Sequence, residues 1–171
     1  NKGVKTQEEI KSFVNEKFGI NFNFDLQKSN KYDSCSSFNV YNKNNNNLLG
    51  RNLDYPKLSP TFVVWTQPKN GYKSISFVNG EYIGFFEEKE ITNEIKKRIL
   101  YSVYDIIDGF NEAGLSLSIL RLKETPSIHQ NDQSKKNVTS SIMMKGALDY
   151  CKNVNEAVQF FNKYNMHDIV E

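Results

Sequence analysis

Cys35, Arg51 and Asp54 are three residues whose types and spacing could carry out covalent chemistry. Arg51 follows the cysteine by 16 residues and Asp54 follows it by 19. A thiol can act as a nucleophile, a nearby guanidinium favours its thiolate form, and a carboxylate can orient an ammonium group. The alternative is structural, because free cysteine is among the most often buried residue types. The two charged residues could then be a salt bridge at a strand end.

The residues around this trio predict a β-hairpin that brings its members together. From Ser36 the pattern has a period of two, and Phe38, Val40 and Tyr41 indicate a strand. The polar run NKNNNN at 42–47 indicates a turn, and LLGRNLD at 48–54 forms the returning strand. This hairpin would fold the arginine and the aspartate back beside the cysteine.

The rest of the chain predicts an α+β fold with mostly antiparallel strand pairing, since strands precede helices after a helical N-terminal piece. The N-terminal helix is expected over 6–18, where Thr6 and Glu9 have the spacing of a capping box. Residues 92–107 fit a helix or a strand, and 123–138 predict a loop. Further strands are predicted at 61–66, 73–79, 81–86 and 115–120, and further helices at 140–151 and 153–165.

Composition excludes several classes of function. At 171 residues with a net charge of +2, the chain predicts one domain without the basic surface of a nucleic-acid-binding protein. No apolar run approaches the ~20 residues of a membrane-spanning helix. Cys35 and Cys151 form no disulfide framework, and His129 and His167 lie far apart in the sequence with no second ligand at metal spacing. We therefore expect no metal site and no cofactor.

Two motifs resemble those of the choloylglycine hydrolase family, which includes penicillin V acylase and bile salt hydrolase. The first is GRNLD at 50–54, after the hairpin that begins at Cys35, and the second is DGFNEAGLSLSIL at 108–120. ALDYCKNVNEAVQFF at 147–161 is a weaker match to a helix pair of that family. The chain is also similar to the acid ceramidase and N-acylethanolamine acid amidase group.

The resemblance implies an N-terminal nucleophile hydrolase with an αββα sandwich, of which the chain from Cys35 to its end covers about the first half. Such enzymes use the α-amino group of the nucleophile as the base, so the bond between Ser34 and Cys35 would have to be cut. Residues 1–34 would then be a helical propeptide, and residues 35–171 the first part of the catalytic domain. Helix 6–18 would cover the substrate groove or be an ordinary packed helix.

The resemblance also implies roles for individual residues. Cys35 would attack the carbonyl of an amide, Arg51 would stabilise the thiolate, and Asp54 would orient the new α-ammonium. Tyr55, Arg121 and Asn111 would contact the substrate, although an asparagine in this motif is more often a turn former. The first half of such a domain does not carry all the residues of the family's active site and substrate groove. The same motifs therefore also fit an inactive family member that acts as a binding or structural protein.

The implied reaction is hydrolysis of a linear amide C–N bond in a small N-acyl substrate of the bile salt, penicillin V, N-acyl amine or N-acyl amino acid type. Arg121 favours an anionic substrate, because it replaces the smaller neutral residue expected from bile salt and penicillin V hydrolases. The sequence leaves open whether the protein forms a homo-oligomer. It also leaves the compartment open, cytoplasmic or secreted, since a chain that begins at Asn1 is compatible with a removed signal peptide.

Overall fold

The computed structural model describes residues 4–19, 34–54, 59–85, 91–120 and 128–167. The helices are α1 (Gln7–Phe18), α2 (Asn93–Tyr101), α3 (Ser140–Tyr150) and α4 (Val154–Phe161), with 3₁₀ turns at Gly80–Ile83 and Ser102–Tyr104. The strands are β1 (Ser34–Tyr41), β2 (Asn47–Asp54), β3 (Thr61–Thr66), β4 (Ser74–Asn79), β5 (Asp108–Asn111), β6 (Ser116–Ser118), β7 (Lys136–Val138) and β8 (Tyr164–Met166). None of the helices in these ranges is long and apolar enough to cross a membrane.

The strands form three sheets, and antiparallel pairing dominates. β1 and β2 form the expected hairpin, and β3, β4, β5 and β6 form an antiparallel sheet in that order. β7 and β8 make a short parallel pair. The α+β class with mostly antiparallel sheets is therefore confirmed.

The core lies on one face of the four-stranded sheet and centres on α3. Residues 142–148 of this helix are all buried, because the helix has neighbours on more than one side. Met144 and Leu148 belong to a cluster with Val78 of β4, whereas Met143 belongs to a second cluster with residues of α1 and α4. The opposite face of the sheet is more open, and its exposed apolar residues are Val63, Trp65 and Phe110.

Helix α1 confirms the capping prediction and packs into the core. The Thr6 side chain accepts a hydrogen bond from the Glu9 backbone N–H, and the Glu9 carboxylate accepts one from the Thr6 backbone. Ile10 and Val14 are only 1% and 3% exposed, in the cluster that also contains Met143 of α3. This is the arrangement of an ordinary packed helix, the second of the two possibilities for this segment.

The strand predicted at 81–86 is wrong over the residues that the structure describes there. Residues 80–83 form a 3₁₀ turn, because the Asn79 side chain accepts a hydrogen bond from the Glu81 N–H and caps it. Gly84 then ends the turn with φ 69°, a left-handed conformation that disfavours residues with a Cβ. The alternation of polar and apolar residues in EYIGFF is thus outweighed by the caps at Asn79 and Gly84, which favour a 3₁₀ turn.

The stretch 92–107, which fits a helix or a strand by its sequence, contains α2, capped by Thr92, followed by the 3₁₀ turn. Two other segments differ from the expectation. The predicted loop at 123–138 contains β7, and the helix expected over 153–165 ends at Phe161, so that β8 can pair with β7. Each of these three-residue strands forms by pairing with the other, so neither has a strand pattern that the local sequence reveals.

We expect Asp105 to make the stability of the protein fall as pH rises through neutrality. Burial raises the pKa of Asp105 from 3.8 to about 7, although part of its surface stays exposed. The folded state therefore binds more protons than the unfolded state between these two values, so raising the pH across this window lowers the free energy of unfolding.

Asp105→Asn should flatten this dependence and raise the free energy of unfolding at about pH 8 by roughly 1–2 kcal/mol. Denaturant unfolding of both proteins at several values between about pH 4 and pH 8 measures the effect. Parallel curves for the two proteins would contradict the assignment to Asp105.

Candidate active site

The hairpin register places Cys35 and Arg51 on the same face of the β1–β2 pair. Cys35 lies opposite Leu53, and Ser37 lies opposite Arg51. Successive residues of a strand point to opposite faces, so the cysteine and the arginine are diagonal neighbours, a separation that a long side chain can span. The spacing of 16 residues therefore brings both side chains together, as the sequence predicts.

The Arg51 guanidinium joins the hairpin to the four-stranded sheet. Its Nη2 lies 3.4 Å from Cys35 Sγ and donates a hydrogen bond of 2.9 Å to the carbonyl oxygen of Ile119. Its Nε lies 3.1 Å from Oδ1 of Asp108. The N–H is not aimed at this oxygen, so the contact is an ion pair without a directed hydrogen bond. One cation thus contacts the thiol, the end of β6 and the start of β5.

This ion pair is largely shielded from solvent. The side chains of Arg51 and Asp108 are 10% and 14% exposed. Burial raises the pKa of Asp108, and the positive charge of Arg51 partly offsets that effect. The Arg51 charge is therefore held in place by a carboxylate that contacts a different nitrogen from the one near the sulfur, in a setting where water screens it little.

Asp54 lies on the other face of the hairpin, beside the bond that precedes the cysteine. It is opposite Ser34 in the register, and its Oδ1 accepts a hydrogen bond of 2.7 Å from Asn52 Nδ2. Because Asp54 and Cys35 belong to opposite faces, the carboxylate points away from the sulfur, while the Asp54 backbone lies opposite the residue that precedes the cysteine.

Sequence reasoning missed Asp108 as the partner of Arg51. The residue opens the DGFNEAGLSLSIL motif, and its β5 position pairs with Ser118, one residue before Ile119. The motif was visible in the sequence, but no pattern links it to an arginine 57 positions earlier. An aspartate next to a glycine at the start of this motif was the available indication.

Close packing explains the glycine in the second motif. In the first motif, a Cβ on Gly50 would meet the ring of Phe38, a side chain that is itself exposed. A Cβ on Gly109 would lie 2.8 Å from Leu148 Cδ1 and 2.7 Å from Ser76 Oγ. The second glycine therefore lets α3 approach β5 and sets the position of neighbouring Asp108.

Asn111 uses its whole side chain inside the protein. It is 3% exposed, and its Nδ2 donates to the carbonyl oxygens of Leu148 and Cys151 at 2.8 and 2.7 Å. Its Oδ1 accepts from the backbone N–H groups of Ala113 and Leu115. Both donors and both acceptor positions are thus engaged, which is the turn-forming role and leaves no polar group for the substrate contact expected of this residue.

Two of the expected substrate-contacting residues, Tyr55 and Arg121, lie outside the described residues. Tyr55 directly follows the end of β2, and Arg121 is two positions beyond Ile119 in the sequence. A cavity of about 400 Å³ lies elsewhere, lined by residues that include Gln130, Phe161 and Tyr164 and neither Cys35 nor Arg51.

The second cysteine differs from the first in its environment. Cys151 is 3% exposed and belongs to the core cluster around α3, whereas Cys35 is partly exposed. Burial, together with nearby Glu156, raises the pKa of the Cys151 thiol. Of the two thiols, Cys35 is thus the one with both access to solvent and a cationic neighbour.

Within the described ranges, no group of three or more His, Cys, Asp or Glu side chains could hold a metal ion.

A family model described as linear amide C–N hydrolases, choloylglycine hydrolase family, matches residues 35–170. The match begins at Cys35 and includes both motifs. Searches among curated proteins and among solved structures gave no significant match.

Proposed function

Because the chain belongs to the choloylglycine hydrolase family of linear amide C–N hydrolases, we propose that it is an amidase whose nucleophile is Cys35. The single observation that supports this most is the contact of 3.4 Å between Arg51 Nη2 and Cys35 Sγ. A fixed positive charge beside a sulfur stabilises the negative charge that the nucleophile must develop. The same arginine is held by Asp108, so its position does not depend on substrate.

Maturation by cleavage before Cys35 is the first step of this proposal. The Cys35 sulfur attacks the Ser34 carbonyl carbon, the peptide C–N bond breaks, and the acyl group moves from nitrogen to sulfur as a thioester. Water then hydrolyses the thioester, which leaves a carboxylate on Ser34 and a free α-amino group on Cys35. The position of Asp54 opposite Ser34 supports a role for its carboxylate in holding that new ammonium group.

The free α-amino group then serves as the base of the amidase reaction. An α-amine has an ordinary pKa of about 7.7–8.0, so at neutral pH a useful fraction can accept the thiol proton. The thiolate attacks the substrate carbonyl, the amine leaves with that proton, and water hydrolyses the acyl-enzyme. Arg51 and Asp54 act on the two ends of the nucleophile, the sulfur and the nitrogen.

The proposed substrate is an N-acyl amino acid or another acylated amine with an anion near the scissile bond. Arg51 binds the Ile119 carbonyl and also contacts the sulfur, so the chain two residues before Arg121 is tied to the nucleophile. A guanidinium beyond that point can pair with a substrate carboxylate through two parallel hydrogen bonds. Tyr55, directly after β2, is the proposed wall on the other side.

Substrate preference tests this proposal. Wild-type protein should hydrolyse an N-acyl amino acid about tenfold better in kcat/KM than its neutral amide analogue, and Arg121→Ala should lose that preference. Lys123→Ala removes a neighbouring cation of the same segment and should keep it. An equal ratio in wild type and Arg121→Ala would contradict the substrate assignment, and the absence of hydrolysis of either substrate by processed wild type would contradict the amidase function.

A further inference from the structure

The two histidines of the chain, which are 38 residues apart, meet in the fold. His129 Nδ1 lies 3.4 Å from His167 Nε2, and the two ring planes cross at 72° with centroids 4.6 Å apart. Their separation along the chain gave no sign of this contact, which a β-bridge between distant residues creates. The pair lies outside the cysteine site and has no role in the amidase proposal.

The backbone holds this pair on both sides. His129 and His167 are partners in an antiparallel bridge, next to which Gln130 N–H donates to the Met166 carbonyl at 3.0 Å. The Gln130 side chain accepts from Met166 N–H at 2.9 Å, and His167 N–H donates to Val138 at 2.9 Å. The backbones of the two histidines are therefore held opposite each other, within reach of one another's side chains.

The separation of the two ring nitrogens also fits two ligands of one metal ion. Directed hydrogen bonds with a nitrogen donor lie at about 2.7–3.2 Å. Zinc–imidazole bonds are about 2.0–2.1 Å long, and two such bonds at a tetrahedral angle hold their nitrogens about 3.3–3.4 Å apart. The observed 3.4 Å matches the second geometry.

We propose that His129 and His167 form a two-histidine site for a borderline divalent transition metal, with Zn²⁺ as the reference ion and Cu²⁺ or Ni²⁺ as alternatives that imidazole also favours. Water or an external ligand fills the other coordination positions, since no third His, Cys, Asp or Glu in the described ranges completes the group. The bound ion links the segment before β7 to the residue after β8. Two nitrogen ligands make micromolar affinity the expectation, and Mg²⁺ and Ca²⁺, which prefer oxygen, should not bind.

Titration of the full chain without a polyhistidine tag, using ZnCl₂ alone in a calorimeter, measures this site. We expect one Zn²⁺ per chain, and saturating Zn²⁺ should raise Tm by about 2–4 °C. His129→Ala and His167→Ala should each weaken binding at least tenfold, and MgCl₂ should shift nothing. Cys35→Ala should bind Zn²⁺ like wild type, which separates this site from the thiol.

The matched control is Gln130→Ala, which removes a hydrogen bond from the same bridge but no imidazole. It should bind Zn²⁺ within a few-fold of wild type, and a loss as large as that of His129→Ala would overturn the proposal. Unchanged binding in His129→Ala, or a loss confined to Cys35→Ala, would overturn it as well. His129 is exposed, so its variant keeps the test decisive even if His167→Ala does not fold.

Discussion

Cys35→Ala is expected to leave a single uncut chain and to lower amide hydrolysis by at least about 10³-fold. Both losses have the same cause, since the proposed cleavage before residue 35 and the attack on substrate use one sulfur. Intact-mass measurement of the purified protein reports the first effect, and chromatographic quantification of the released amine reports the second.

Two further variants serve as a comparison and a control for Cys35→Ala. Cys35→Ser should be cut slowly and only in part, because an alcohol is a weaker nucleophile than a thiol. Cys151→Ala is the matched control, since it removes the other thiol from a buried position and should be processed like wild type. A Cys35→Ala chain that still matures on its own would show that the nucleophile lies elsewhere.

The cut leader should remain attached to the rest of the protein. Ile10 and Val14 are almost fully buried against the α3 cluster, and burial of each such side chain stabilises the packed state by about 1.5–3 kcal/mol. Lys136 also pairs with Glu9 at 3.1 Å. We therefore expect two masses under denaturing conditions and their sum under native conditions; prompt loss of the leader would mean that α1 contributes little to the mature core.

The parts of the site that could be predicted from the sequence are the local ones. A turn of polar residues between two alternating strands fixes the hairpin, and with it the diagonal placement of Arg51 beside Cys35. The capping box of α1 is equally local, because Thr6 and Glu9 satisfy each other's backbone N–H groups within one turn. Both features are set by neighbours a few residues away or by one tight connection.

The parts that were missed depend on contacts between distant segments. Asp108 meets Arg51 only because β5 and β6 pair and present both Asp108 and Ile119 to the hairpin. His129 meets His167 through a bridge that adjoins the short β7–β8 pair. In each case the residue types were visible, but the topology that joins them has no periodic pattern in the sequence.

Arg51→Ala should lower amidase activity, slow alkylation of Cys35 at about pH 7 by about tenfold, and destabilise the fold. The destabilisation follows from the buried pair, because removal of Arg51 leaves the Asp108 carboxylate without its partner, at a cost of about 3 kcal/mol. Loss of activity in this variant alone would therefore have two explanations.

A double variant separates them. Arg51→Met with Asp108→Asn keeps the volume of both side chains and removes both charges, so much of the lost stability should return. Alkylation should stay slow, since the guanidinium that contacts the sulfur is then gone. Rates are measured with iodoacetamide on folded protein in a Cys151→Ala background, so that one thiol is followed. Arg51→Lys keeps a charge but not the planar contacts to Ile119 and Asp108. Its alkylation rate should therefore fall between the rate of the Cys151→Ala parent and that of the double variant.

The double variant decides between a chemical and a structural role for Arg51. If its alkylation rate returns to that of the parent together with its stability, the arginine only holds the hairpin against β5 and β6. If stability returns and the rate does not, the guanidinium acts on the sulfur through the contact of 3.4 Å. We expect the second outcome, because Nη2 contacts Sγ while Nε faces Asp108, so the two functions are divided between different atoms of one side chain.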